Sequence, residues 1–265
     1  MRDITVNVGV ATEAEPAVAC ALSLAKRFGA FLTGLQILPE APPLPGTARA
    51  AEPLAAAEDA AASRQAWWDA LCRRHGVSGA WETPCGMYVP TLALRSLLSD
   101  VLVESLPVGS PEGLAIVDEL SRVLFKGSAP LLLVPQNCTG DFEFRRIAVG
   151  WNGSSEALRA IYAALPLLRV AHEVIVYDGD RSGLPGAPPM LRLREWLGHR
   201  GVRCQWIGFD PEQMVGSALH DDAQARHAGL LVMGAWGRSR MSELVLGGAT
   251  RWLLGHSRLP MLLAH

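Results

Sequence analysis

Four glycines and a threonine in VMGAWGRSRMSELVLGGATR (232–251) have the spacing of a loop that could hold phosphate. An apolar run ends at Gly234. Gly237 follows after two residues, and Gly247 and Gly248 after nine more, just ahead of a helical pattern. A residue without Cβ lets the backbone approach a ligand closely and permits φ > 0. Gly247 and Gly248 would stand at the N-terminus of a helix over 249–256. Its first N–H groups lack intrahelical partners and carry the positive end of the dipole, which suits an anion. Arg238, Ser239 and Arg240 add charge and a hydroxyl nearby, and Thr250 can turn its hydroxyl toward the same anion. Glycines also mark strand ends and helix starts for turn geometry alone.

Such a loop needs a strand to deliver it and a helix to receive it, and the chain supplies these twice. DITVNVGV (3–10) resembles RRIAVGWN (145–152), SDVLVES (99–105) resembles AGLLVMG (228–234), and APLLLVP (129–135) resembles LPMLLAH (259–265). The pairs come in the same order, which marks two copies of one domain rather than a solenoid, whose units are about 20–50 residues long. The domains are read as 1–139 and 143–265, joined near QNCTGDFEF (136–144). The first carries extra residues, placed in LPEAPPLPGTARAAEPLAAAEDAAAS (38–63), whose Pro/Ala-rich start reads as a loop.

In the second half, strands are expected over 147–151, 173–177, 202–209, 230–233 and 261–264. Helices alternate with them. GSSEALRAIYAAL (153–165) has Ser154 or Ser155 as N-cap and Glu156 in its first turn. PPMLRLREWLGHRG (188–201) carries Leu191, Trp196 and Leu197 among its apolar residues and Gly201 as a stop. EQMVGSALHDDAQARHAG (212–229) and 249–256 complete the set. Short, continuously apolar strands suit a sheet covered on both faces. Strands alternating with helices in this way give an open, doubly wound α/β sheet, which binds ligands at the carboxyl ends of its strands where their order reverses.

The spacing Gly234, two residues, Gly237, nine residues, Gly247 resembles the nucleotide-binding signature of the universal stress protein family. LLVMG and LPMLLAH also resemble that family's fourth and fifth strands. The resemblance covers the chain as a tandem pair, clearly in the second half and weakly in the first. It implies two tandem doubly wound five-stranded parallel-sheet domains, Rossmann-like and adenine nucleotide alpha hydrolase-like. Their last strands would pair into an intrachain pseudo-dimer, burying two edges that otherwise invite aggregation. It further implies ATP or AMP, with or without Mg, in the second half. The phosphates would lie on Gly234, Gly237, Gly247, Gly248 and Thr250, with Ala235, Arg238 and Ala249 in the same loop and helix start. Trp151 and Asn152, from WNGSS, would approach base and ribose. The sequence departs from the signature twice. Asn152 stands where the family's nucleotide binders usually have Asp; it can bond a ribose hydroxyl but adds no charge for a metal. Gly248 replaces a hydroxyl residue, at a cost on the order of 1 kcal/mol.

The first half reads VLVESLPVGSPEGLAIVDELSRVLFKGSAPLLLVP at the matching place. Glu104 and Ser105 stand around the position of Gly234, Pro107 interrupts, and no glycine pair precedes the helix. A carboxylate there would repel phosphate, so this half is expected to hold no nucleotide and to cover apolar surface of its twin. His220 and His227 lie seven apart and are read as part of a solvated helix face; metal ligands on one helix usually lie closer. Trp236 either lids or stacks on a ligand or covers the sheet edge. Trp151, at the end of a strand, is more often core than ligand contact. Of the adjacent Trp67 and Trp68, only one can face the core squarely. Cys85 and Cys204 have no evident base partner for nucleophilic catalysis.

Composition narrows the classes. The chain of 265 residues is 49% hydrophobic and 19% charged, enough for two ordinary cores. Net charge is −2 with no basic run, which argues against nucleic acid. No apolar run approaches the ~18 residues that span a membrane. Five cysteines without a C-x-x-C pair fit a reducing cytoplasm. The expected function is a stress-response regulator or sensor binding adenine nucleotide, with at most slow hydrolysis. A family member acting by protein interaction without nucleotide is the alternative, and further self-association stays open. An adenylylating enzyme fits less well, because WNGSSEA lacks the Ser/Gly-rich pyrophosphate loop such enzymes carry.

Overall fold

Apolar strands and amphipathic helices alternate through the chain, and helices such as α1 and α5 bury an apolar stripe on the sheet. The computed structural model describes residues 1–9, 12–38, 51–108, 111–138, 142–179, 191–208, 216–235 and 248–265, without the side chains of 51–58, 111–115 and 248. The first half runs β1 (Asp3–Asn7), α1 (Pro16–Phe28), β2 (Phe31–Leu35), α2 (Ala51–His75), β3 (Gly79–Glu82), α3 (Tyr88–Ser96), β4 (Val101–Leu106), α4 (Pro111–Lys126) and β5 (Leu131–Pro135). The second runs β6 (Arg146–Trp151), α5 (Ser155–Val170), β7 (Glu173–Asp178), α6 (Leu193–His199), β8 (Cys204–Gly208), α7 (Gly216–Ala225), β9 (Leu230–Gly234), α8 (Gly248–His256) and β10 (Met261–Ala264).

The strands form one ten-stranded sheet in the order β3-β2-β1-β4-β5-β10-β9-β6-β7-β8. Within each half all described pairs are parallel. The halves meet where β5 and β10 run antiparallel, with Leu133 opposite Met261, Leu132 opposite Leu262 and Leu131 opposite Leu263. This is the expected pseudo-dimer. β5 and β10 are buried at every position, as strands must be when helices cover both faces and each closes the other's edge. Alternate residues feed two cores. Val103, Leu132, Val149 and Val232 face one layer, and Leu102, Leu131, Ala148 and Leu231 face the other. Both cores include residues from both halves, so the seam is continuous with the interior.

Local signals explain most boundaries. Pro16 opens α1, and Gly29 closes it in the left-handed region at φ 59°. Trp68 is fully buried while Trp67 packs at the margin of the core, as adjacent helical residues must divide. One expectation shifts. The helix read over 188–201 is α6, Leu193–His199, because Leu193 and Leu197 are the i, i+4 pair that reaches the core; Leu191 precedes it and is 52% exposed. The extra segment of the first half is helical from residue 51 onward, and its Pro-rich start, 39–50, lies outside the described residues. Among the described residues, no helix is long and apolar enough to cross a membrane.

Candidate functional site

Strand order reverses beside β1 and beside β6, because each has its sequence successor on one side and a later strand on the other. In the second half this crevice opens between the carboxyl ends of β6 and β9. The backbone leaving β6 turns at once. Asn152 Oδ1 accepts from Ser154 N–H at 3.1 Å, and Gly153 supplies φ 77°. Ser154 Oγ then accepts from Ala157 N–H at 3.1 Å, which caps α5. The start of α5 lies directly on the end of β9. A Cβ on Gly234 would stand 2.6 Å from the carbonyl carbon of Glu156 and 2.8 Å from Ala157 Cα. The φ of Gly234 is outside the left-handed region, so the fold needs glycine there for close approach, not for turn geometry.

Two further helix starts reach the same place. α8 begins at Gly248, and α7 begins at Gly216, where an added Cβ would be 2.6 Å from Ala249 O. Between them and the strand ends lies a cleft of about 150 Å³, lined by Gly150, Trp151 and Asn152, by Tyr177, by Met233 and Gly234, and by Gly216, Leu219 and Ala249. That is the space of roughly five waters, the scale of a flat base rather than a whole nucleotide. Among the described residues that line it, none is charged. The first described turns of α7 and α8 border it. Its floor is fixed by Tyr177, 1% exposed, whose hydroxyl donates to Asp222 Oδ2 at 2.7 Å. Asp222 also accepts from Arg226 Nε at 2.7 Å. Burial opposes charge on Asp222, but these two donors hold its carboxyl below the usual range.

The expected site residues divide. Gly234, Ala249, Asn152 and Trp151 line the cleft. Trp151 also belongs to the core on the α5 side, at 3% exposure. Gly248 begins α8, and Thr250 lies in its first turn, 5% exposed. Ala235 is fully buried and its N–H donates to Ala264 O at 2.9 Å, so that amide is engaged within the sheet. Gly237, Arg238 and Gly247 lie outside the described residues, as do Trp236, Ser239 and Arg240. Sequence reasoning missed Gly150, Tyr177, Gly179, Gly216, Leu219 and Met233. Tyr177 was signalled only by its place at a strand's carboxyl end. His220 departs from the solvated face expected of it: it is 4% exposed, and its Nε2 accepts from Arg258 N–H at 3.1 Å. His227 is beyond the end of α7, in the left-handed region at φ 57°, so the two histidines share no helical face. Among the described residues, no group of three or more His, Cys, Asp or Glu is arranged to hold a metal ion. Burial pushes the Cys204 thiol up to about 11, away from thiolate chemistry.

The first half fills the corresponding place. The registers Ile4–Val101 and Ile147–Leu230 make Glu104 the counterpart of Met233 and Asn7 that of Gly150. Ser105, the counterpart of Gly234, donates to Glu15 Oε1 at 2.7 Å, a side-chain link where Gly234 has backbone contact. Glu104 is 3% exposed and accepts at Oε2 from Asn7 Nδ2 at 3.1 Å and from Tyr88 Oη at 3.0 Å. Burial pushes its carboxyl up to about 8. Burial therefore disfavours charge on the group that the sequence reading took as a repelling carboxylate, and among the described residues the packed trio occupies this place.

No family model matches the sequence, and comparison with curated proteins finds no match. Solved structures do match. A universal stress protein of Archaeoglobus fulgidus DSM 4304 aligns over 99% of this chain and 96% of its own, with 15% identity and a TM-score of 0.74. A Pseudomonas aeruginosa UCBPP-PA14 protein bearing the same family name aligns over 100% and 93%, at 14% identity and TM-score 0.62. A protein of unknown function from Pseudomonas aeruginosa PAO1 aligns over 99% and 92%, at 13% identity and TM-score 0.62. The chain thus has the fold of universal stress proteins over its full length.

Proposed function

We propose that this chain is a tandem universal stress protein, with domains 1–139 and 143–265, that binds ATP or AMP in the second domain and none in the first. On this reading it acts in the cytoplasm as a stress-response regulator or sensor. The observation that carries the reading is the cleft between β6 and β9. A base-sized space with no charged residue in its described lining lies beside the first described turns of α7 and α8, and the glycine spacing of 234–248 continues from its edge. Helix N-termini favour phosphate without any special side chain. Asn152 offers a neutral amide toward ribose, so Mg, where present, would be held mainly by phosphate oxygens. Among the described residues no carboxylate or histidine lines the cleft, so hydrolysis should be slow.

Mass spectrometry of nucleotide released from the purified protein, with calorimetric titration of ATP and AMP, tests this. A Gly247→Val variant should lose affinity at least tenfold. Unchanged affinity in that variant, or nucleotide released from the first domain alone, overturns the reading.

A second reading has its own support. Gly234, Asn152 and Ala235 each have a structural duty within the fold. A protein with those residues could keep them without nucleotide and act through a protein partner or a second copy of itself. Absence of any ATP or AMP binding in the titration would favour it.

A further inference from the structure

Glu104 is a buried acid that the proposed nucleotide site does not use. Its two oxygens differ. Oε2 accepts from Asn7 Nδ2 and Tyr88 Oη, whereas Oε1 is buried with no hydrogen-bond partner. Among the described residues, the elements around it offer neutral donors to Oε2 but no opposite charge. β1 presents Asn7, and α3 presents Tyr88, whose hydroxyl burial and Glu104 together push up, so it remains a donor. α4 adds Glu119, a like charge acting on Tyr88. On the opposite side of β4, Ser105 is tied to Glu15. Among the described residues no cation acts on Glu104. The second half has Met233 and Gly150 at the matching places and leaves a cleft. The first half fills that space with a carboxyl, an amide and a phenol.

We propose that Asn7, Glu104 and Tyr88 form a proton-controlled latch across the carboxyl end of the first half's sheet, closed while Glu104 is protonated and loosened when it ionises. The chemistry is one-sided. In the acid, the proton sits on Oε1, and the missing partner costs one neutral hydrogen bond. In the carboxylate, Oε1 carries charge into an apolar site with no donor, which is far costlier. Relief comes by admitting water or by moving β4 away from α3. The sign follows from the raised folded value. Stability from this group is full below the unfolded value near 4.5 and is lost progressively as pH rises to about 8, beyond which the loss levels off. The first half would then respond to rising pH while the second half, with Met233 at the matching place, would not.

The test uses the full chain and needs no nucleotide, so it fails or succeeds apart from the proposed function. Carbon-detected NMR of glutamate carboxyls, wild type against E104Q, should assign a resonance titrating at about 8 to Glu104. Hydrogen exchange, corrected for intrinsic rates, should show β1 and β4 opening more readily with pH than in E104Q. The ratio should grow by up to about tenfold per pH unit between pH 5 and 8. β6 and β9 should show no such difference. Should E104Q fail to fold, E104M, the residue of the other half, serves the same comparison, and the wild-type titration decides alone if both fail. Titration of Glu104 between 4 and 5, or equal pH dependence in wild type and variant, overturns the latch.

Discussion

Gly234 and Ala157 are in backbone contact: a Cβ on the glycine would stand 2.8 Å from Ala157 Cα and 2.6 Å from the carbonyl carbon before it. Neither atom is the end of a flexible side chain, so the clash cannot be relieved by a rotamer. Gly234→Ala should therefore cost about 2 kcal/mol or more, at the upper end of ordinary overpacking. Urea unfolding of the variant checks it. A shift below about 0.5 kcal/mol would show that α5 slides freely on β9. The same contact makes Gly234 a poor probe of ligand binding, because any lost affinity would follow from lost structure.

Gly150 is the better probe. A Cβ there would meet Met233 Cβ at 3.5 Å and Leu219 Cδ2 at 3.6 Å, ordinary contact distances, and both residues line the cleft. Gly150→Ala should change stability by no more than about 0.5 kcal/mol. Gly150→Val should fill part of the cleft and weaken ATP or AMP at least tenfold while the protein stays folded. Calorimetry beside a thermal melt separates the two effects. Full affinity in a folded Val variant would place the base elsewhere.

The Tyr177–Asp222 bond should be visible in acid. Asp222 has a folded value below 3.8, so its contribution is present above that value and lost as pH falls through the lower one. Tyr177→Phe removes one of its two donors and should cost about 1 kcal/mol at neutral pH. Melts between pH 2.5 and 7 should show wild type and variant apart at neutral pH and converging in acid. Parallel curves would mean that the bond does not form in solution.

Leu262 and Leu132 face each other across the seam, both fully buried. Leu262→Ala should cost about 2–5 kcal/mol. Because each core runs through both halves, hydrogen exchange should rise in β4 and β5 as well as in β9 and β10. A loss confined to the second half would mean that the halves fold independently.

Sequence alone determined the parts that depend on local pattern. Repeated apolar runs, Ser154 ahead of Glu156, and the glycines around 234–248 specify strands, a cap and a candidate loop, because propensity and periodicity act over a few residues. The resemblance to universal stress proteins also implied that the two last strands would pair, and they do. Tertiary structure decided what those residues do. Only the packing of α5 on β9 shows why Gly234 lacks a Cβ, since Ala157 is distant in sequence and adjacent in space. The repeat already set Glu104 against Met233, but only the packed structure buries it, at 3% exposure, with Asn7 and Tyr88. A carboxyl's charge depends on the solvent around it, and no local pattern carries that information. The same reason separates His220, buried beside Arg258, from the exposed helix face its neighbours suggested.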